Sequence, residues 1–239
     1  MESLTVNGNV QNGQNGKSTT DKKQAMTMIK KSQEQGMGFN ETMDWYKDWT
    51  ATYDQEVESV QYAGPRLVGE YLMKYAKERG IQGRSAILDV GAGTGLVGQI
   101  LRDIGYNNID GVDASDTMLE IAREKSIYER LYSAKLGEGN KLPMIDDTYD
   151  AAVMSGIFVQ GHVKLDALLD IIRLVKPGGL IVNAMREENT REVDEYLNIH
   201  EVFASWTKKG LWKCLEHANP PVKFYAEYHP LVHVYEVTK

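Results

Sequence analysis

A single cysteine, Cys214, is present in 239 residues. That excludes an internal disulfide and any cysteine-built zinc site. A reducing compartment is the default for such a chain, and the cytoplasm is the expected location. No apolar run approaches the roughly 20 residues that a membrane span needs, so no membrane association is expected. The opening Met1-Glu2-Ser3-Leu4 is acidic and carries no apolar core, which predicts no secretory signal. Positive charge is also scarce. The chain has 27 Lys and Arg against 34 Asp and Glu, a net of −7. Duplex nucleic acid demands a basic surface, so a nucleic-acid substrate is disfavoured. No internal repeat is present, and the composition specifies no oligomeric state.

What is present is a chain of three parts. Residues 1–24 are rich in Asn, Gly, Gln, Ser and Thr, with almost no large apolar side chain after Val10. Such a segment cannot bury enough surface to offset its ordering entropy and is expected to be a disordered tail. Residues 25–80 read as a helical cover. Trp45, Trp49, Tyr53 and Val57 recur at helical spacing. A further helix over 65–79 shows Leu67, Val68, Tyr71, Leu72 and Tyr75 on one face, with Pro65 at its start and Gly80 at its stop.

Residues 81–239 alternate short buried strands with amphipathic helices. Strands are expected at 86–90, 109–113, weakly at 132–136, at 149–155 and at 180–185. Helices fall at about 96–104, 116–125, 165–172 and 192–208. Two late apolar runs, 222–228 and 231–237, read as an antiparallel pair at one sheet edge. The alternation implies βαβ units, a mostly parallel sheet with helices on both faces, and a ligand crevice at the carboxyl ends of the strands.

The strongest local signal is Asp89-Val90-Gly91-Ala92-Gly93-Thr94-Gly95, between a buried strand and an amphipathic helix. Its glycines allow a sharp turn and close approach of a ligand. Gly93-Thr94-Gly95-Leu96-Val97-Gly98 also fits the dinucleotide pattern G-x-G-x-x-G, and Asp113 stands at the right distance for a ribose hydroxyl. Asp89 argues the other way, because a carboxylate two residues before the first glycine repels a pyrophosphate. It suits the cationic amino-acid end of S-adenosylmethionine (SAM).

The motif set as a whole resembles the class I SAM-dependent methyltransferases, with their Rossmann-like seven-stranded fold. The glycine loop resembles the family's first motif, and Gly111-Val112-Asp113-Ala114-Ser115 with Met118-Leu119 its second-strand region. Gly137-Glu138-Gly139-Asn140-Lys141-Leu142-Pro143 resembles its third-strand loop, with Glu138 in place of the usual Asp. Val175-Lys176-Pro177-Gly178-Gly179 resembles the turn before its fifth strand. Trp49-Thr50-Ala51-Thr52-Tyr53-Asp54 and Tyr62-Ala63-Gly64-Pro65-Arg66-Leu67 are similar to a narrower group of methyltransferase-like proteins.

The resemblance implies SAM as cofactor, while the acidic balance and the short N-terminal cover favour a small-molecule methyl acceptor. A protein acceptor, or SAM binding without catalysis, is the alternative. It implies that Asp113 takes the ribose hydroxyls and that the loop of Glu138 and Gly139 holds the adenine. The implied cofactor site is Tyr53, Asp89, Gly91, Ala92, Gly93, Thr94, Gly95, Asp113, Ala114, Met118, Glu138, Gly139 and Ser155. Acceptor contacts are expected from Trp49, Gly156, His162 and Arg186. His162 is the candidate proton acceptor, and Arg186 a candidate partner for a substrate carboxylate. No metal is expected, since His229 and His233 share a strand face with no third ligand in view.

Overall fold

A computed structural model of the chain describes residues 19–32 and 38–239. The expected tail therefore falls largely outside the described residues. Four helices lead: α1 (Thr19–Lys31), α2 (Phe39–Trp49), α3 (Tyr53–Ser59) and α4 (Gly64–Ala76). Helix α1 begins before residue 25, inside the stretch expected to lack structure. Its Ala25 and Ile29 recur at i, i+4 and are buried in one cluster with the apolar residues of α3 and α4. Pro65 sits in the first turn of α4, where an amide hydrogen is not needed.

The alternating unit follows. It comprises β1 (Ala86–Val90), α5 (Leu96–Asp103), β2 (Asn108–Asp113), α6 (Asp116–Glu124), β3 (Arg130–Ser133), β4 (Tyr149–Ser155), α7 (Ala167–Leu174), β5 (Val175–Arg186), α8 (Asn189–Glu192), α9 (Ile199–Lys208), β6 (Trp212–Ala218) and β7 (Pro230–Val237). The strands form one seven-stranded sheet in the order β3-β2-β1-β4-β5-β7-β6. The first five run parallel, and β7 runs antiparallel to both β5 and β6. This is the mostly parallel, Rossmann-like seven-stranded sheet with an antiparallel edge that the sequence resemblance implies.

Strand order reverses between β1 and β4, so the crevice of such a sheet lies beyond the carboxyl ends of β1, β2 and β4. Helices α4 and α5 cover one face, packing on Ile87, Ile109, Val153 and Val182. Helices α7 and α9 cover the other, packing on Leu88, Met154, Ile181 and Tyr235. Burying both faces explains why β1, β4 and β5 read as apolar runs rather than as alternating patterns.

The late region departs from the sequence expectation. Residues 222–228 are not a strand, and the sixth strand is Trp212–Ala218. That edge strand is half exposed, and a register shift between Cys214 and Glu216 breaks its alternation, so it carries no apolar signature. The apolar run at 222–228 has another task. Ala63 N–H donates to Phe224 C=O at 2.8 Å, and Phe224 and Tyr225 bury against the cover helices. Among the described residues no helix is long and apolar enough to cross a membrane.

Candidate functional site

The chain turns sharply after β1 because Gly91, Gly93 and Gly95 all adopt positive φ, at 71°, 54° and 93°. The loop is stitched to its neighbour: the Gly91 and Ala92 amides both donate to Val112 C=O, at 2.8 and 3.0 Å. At the tip of β2, Asp113 ties two loops together. Its Oδ2 accepts from Gly93 N–H and its Oδ1 from Ser115 N–H, each at 2.8 Å. Burial raises the Asp113 carboxyl above its ordinary value, while those amides hold it back. Each oxygen has accepted one bond in these contacts, and a carboxylate oxygen has capacity for a second. Ser115 caps α6 through its hydroxyl, which accepts from Met118 N–H.

These tips line a cleft of about 730 Å³. Its floor is Gly91, Gly93, Asp113, Ala114 and Ser155, and its apolar sides include Phe39, Met118, Leu136 and Val163. The cover helices supply Met43, Tyr46 and Tyr53. A second cavity, of about 490 Å³, lies beneath the cover. Trp49, Tyr62, Phe224 and Tyr225 give it aromatic walls, and Arg186 and Ser32 are its polar members. Tyr46, Tyr53 and Gly156 line both cavities, so these three residues form the wall they share.

The cover is fastened over the glycine loop by a residue the sequence reading passed over. Asp54, at the start of α3, accepts from Thr94 Oγ1 at 2.5 Å and from Lys125 Nζ at 2.6 Å. Trp49 is buried between Tyr46 and Tyr53, with ring centroids 5.9 and 4.8 Å away. Its indole N–H donates to Glu56 at 2.8 Å.

His162 sits at the cleft with both ring nitrogens engaged. Nδ1 lies 2.8 Å from Gln160 C=O and Nε2 lies 2.8 Å from the Tyr46 hydroxyl. A carbonyl only accepts, so Nδ1 carries the proton and Nε2 of the neutral ring accepts from Tyr46 O–H. Burial lowers the His162 pKa and raises that of Tyr46. Both are therefore neutral at pH 7.

Several expected residues come together at the cleft: Tyr53, Gly91, Gly93, Asp113, Ala114, Met118, Ser155, Gly156 and His162. Trp49 and Arg186 lie in the second cavity. Ala92 and Thr94 line a smaller depression behind the glycine loop, together with Tyr62. Glu138 is turned aside. It pairs with Lys135 and Lys164 and lines a separate hollow shared with His162. Gly139 and Gly95 shape their loops at positive φ, and neither is on a cavity wall described above. The Arg186 guanidinium is bound to Glu192, lies 3.7 Å from Glu188 and stacks 3.8 Å over the Tyr228 ring.

Asp89 also departs from the expectation of a carboxylate facing the cofactor. It is fully buried beneath the glycine loop, where Oδ2 accepts from Tyr128 O–H at 2.6 Å and Oδ1 has no partner. Burial pushes its pKa up to about 7. Its unfolded value is near 3.8, so folding takes up a proton between these limits. The contribution of Asp89 to stability is greatest below pH 4, declines as pH rises toward 7, and is level above. Wild type should therefore lose about 4 kcal/mol relative to Asp89→Asn over that window. Urea unfolding of both proteins from pH 4 to 8 measures it, and parallel stability profiles would contradict the assignment.

Sequence reasoning missed Tyr46, Tyr62, Asp54 and the 222–228 loop. The spacing Phe39, Met43, Tyr46 is itself helical and marks the face of α2 that meets the cleft. Nothing local marks Tyr62, whose hydroxyl reaches Ser155 Oγ at 2.7 Å across 93 positions of sequence.

The cleft can hold an adenosyl sulfonium. Each Asp113 oxygen keeps a further lone pair, Met118, Leu136 and Val163 line the walls with apolar side chains, and the loop backbone lies open at Gly93, where a Cβ would meet nothing within 4 Å. The faces of Tyr46 and Tyr53 can attract a cation.

Comparison with known proteins points the same way. Residues 88–183 match the model of a methyltransferase domain family. Human methyltransferase-like protein 27 is 31% identical over 194 residues, covering 77% of this chain and 78% of that protein. The demethylmenaquinone methyltransferase of Halalkalibacterium halodurans is 31% identical over 112 residues, 44% of this chain and 45% of that one. Among solved structures, a Methanococcus maripaludis protein assigned as a SAM-dependent methyltransferase superposes with a TM-score of 0.56 at 17% identity, over 81% of this chain and 94% of that one.

Proposed function

This chain belongs to the SAM-dependent methyltransferases, and from that premise we propose that it methylates a nucleophilic atom of a small, flat, largely apolar acceptor held in the aromatic cavity. The observation that carries this reading is the shared wall of Tyr46, Tyr53 and Gly156 between the cleft at the strand tips and a second, aromatic-lined cavity.

In this reading Asp113 takes both ribose hydroxyls, and Met118, Leu136 and Val163 hold the purine. Gly91 and Gly93 let the amino-acid end lie against the backbone. Bound SAM supplies a methyl group on a sulfonium, already activated for in-line displacement. The chain's own work is alignment, exclusion of water and proton removal. Tyr46 is the group that faces both cavities with a partner behind it. As the acceptor O–H or N–H gives its proton to Tyr46 Oη, Tyr46 passes its own to His162 Nε2. His162 then holds the proton until solvent removes it.

Arg186 is neutralised by its carboxylate neighbours, which favours a neutral acceptor over an anionic one. The relative named above acts, by its name, on demethylmenaquinone, and aromatic walls of this kind suit a quinone or quinol. The acceptor test is a panel of neutral phenols, quinols and amines beside their carboxylate-bearing analogues and a set of peptides, read by release of S-adenosylhomocysteine. Turnover confined to the neutral ring compounds is expected, with Tyr46→Phe slowed by about 100-fold or more as a proton-transfer partner is lost. Turnover on peptides alone, or on the carboxylates alone, would overturn the proposed acceptor.

A further inference from the structure

The structure separates the two histidines that the sequence places on one strand face. His229 pairs with Glu188, its Nδ1 at 2.8 Å from Oε1. His233, in the middle of β7, turns inward and meets two histidines from other elements. His217 lies opposite it on β6, and His200 stands in the first turn of α9. The ring centroids of His217 and His233 are 4.9 Å apart, and those of His200 and His217 are 5.0 Å apart. Each ring offers one nitrogen such that the three lie within 4.8 Å of one another.

Two observations distinguish this cluster from ordinary ring packing. His233 is 1% exposed, and its Nε2 is buried with no hydrogen-bond partner. Buried polar groups are ordinarily satisfied, so an orphaned imidazole nitrogen beside two others calls for a ligand. Behind it, Asn183 Nδ2 lies 3.3 Å from His233 Nδ1 while Asn183 Oδ1 is also buried without a partner. Turning the amide over brings its oxygen to Nδ1, fixes the proton there and leaves Nε2 as a lone pair. A neighbouring acceptor orients metal-bound histidines in this way.

We propose that His200, His217 and His233 form a binding site for one divalent transition-metal ion, with zinc the ion that fits best. Three imidazoles with a fourth position open to solvent are a recurrent zinc arrangement. Zinc–nitrogen bonds of about 2.0–2.1 Å in tetrahedral geometry need nitrogens about 3.3 Å apart. The side chains of His200 and His217 are exposed. The neutral imidazole is the ligating form. The site lies where β7 pairs with β6, at Asn183 in mid-β5, and not at the strand tips that line the cleft. A bound ion there clamps α9 to the antiparallel edge of the sheet. Its ligands come from three elements spread over 33 residues, which is why no local spacing announces it.

The test uses the full chain without a histidine tag, stripped by a chelator and titrated with Zn²⁺ against a chromophoric competitor. Co²⁺ serves as a spectroscopic stand-in. One Zn²⁺ per chain is expected, with visible cobalt absorption of tetrahedral strength. His200→Gln combined with His217→Gln changes only exposed side chains, and should weaken zinc binding at least about 100-fold and remove the cobalt band. His229→Gln should leave both intact, and Asp113→Ala should leave zinc binding intact whatever it does to SAM. Absence of stoichiometric zinc in the wild type, equal affinity in the double variant, or loss of zinc in His229→Gln would each overturn the site.

Discussion

Replacing Asp113 by alanine should abolish measurable SAM binding while leaving the sheet folded. The carboxylate closes the tip of β2, accepting one amide from the glycine loop and one from the turn into α6. Its remaining lone pairs are the paired acceptors available for the ribose hydroxyls. Hydrogen bonds to a charged group contribute about 1.5–3 kcal/mol each, so losing two weakens binding by roughly 100-fold to 10,000-fold. The alanine variant also leaves the Gly93 and Ser115 amides without their acceptor, which loosens the loop itself. Asp113→Asn keeps one acceptor and should fall between the two. Calorimetric titration with SAM and with S-adenosylhomocysteine measures the series. Wild-type affinity in Asp113→Ala would remove the ribose from this strand tip.

The second large effect is expected at Gly91, and it differs from what Gly93 should show. Gly91 has φ +71°, and a Cβ there would stand 2.3 Å from Ile157 Cγ2. Ile157 is buried and lines the cleft, so it must move into the space a ligand would use, or the loop must lift from Val112. Left-handed backbone costs a non-glycine residue about 1–2 kcal/mol, and overpacking adds about 1–3 kcal/mol. Gly91→Ala should therefore lose about 2–5 kcal/mol of stability and bind SAM at least tenfold more weakly. Gly93 has φ +54°, but a Cβ there meets nothing within 4 Å. Gly93→Ala should show only the backbone cost of about 1–2 kcal/mol. Urea unfolding of the two variants side by side separates collision from conformation, and equal losses would contradict the close approach of Ile157.

The parts of this fold that could be read from sequence are those with local causes. β1, β2, β4 and β7 are short runs buried on both faces, and the glycine loop and Asp113 lie in contiguous segments. The illegible parts depend on distant partners. Trp212–Ala218 looks like a polar loop because one edge is exposed and a register shift interrupts it, whereas residues 222–228 look like a strand because their aromatic side chains are buried by the cover. Tyr62 joins the site through Ser155 and the aromatic side chains of Phe224 and Tyr225, and Asp54 through Thr94 and Lys125. Asp89 has the chemistry of a ligand group, yet the pleat of β1 turns it to Tyr128 beneath the loop. Glu138 is drawn outward by two lysines. Residue type announces a capacity, and the side of a strand or loop on which the residue falls decides whether that capacity meets the cleft.

The proposed placement of cofactor and acceptor on either side of Tyr46, Tyr53 and Gly156 is tested most directly by a crystal structure of the chain with S-adenosylhomocysteine. The ribose should lie on both oxygens of Asp113, the purine between Met118 and Leu136, and the sulfur toward the shared wall with the aromatic cavity open beyond it. Nucleoside bound away from Asp113, or sulfur directed away from the aromatic cavity, would contradict it.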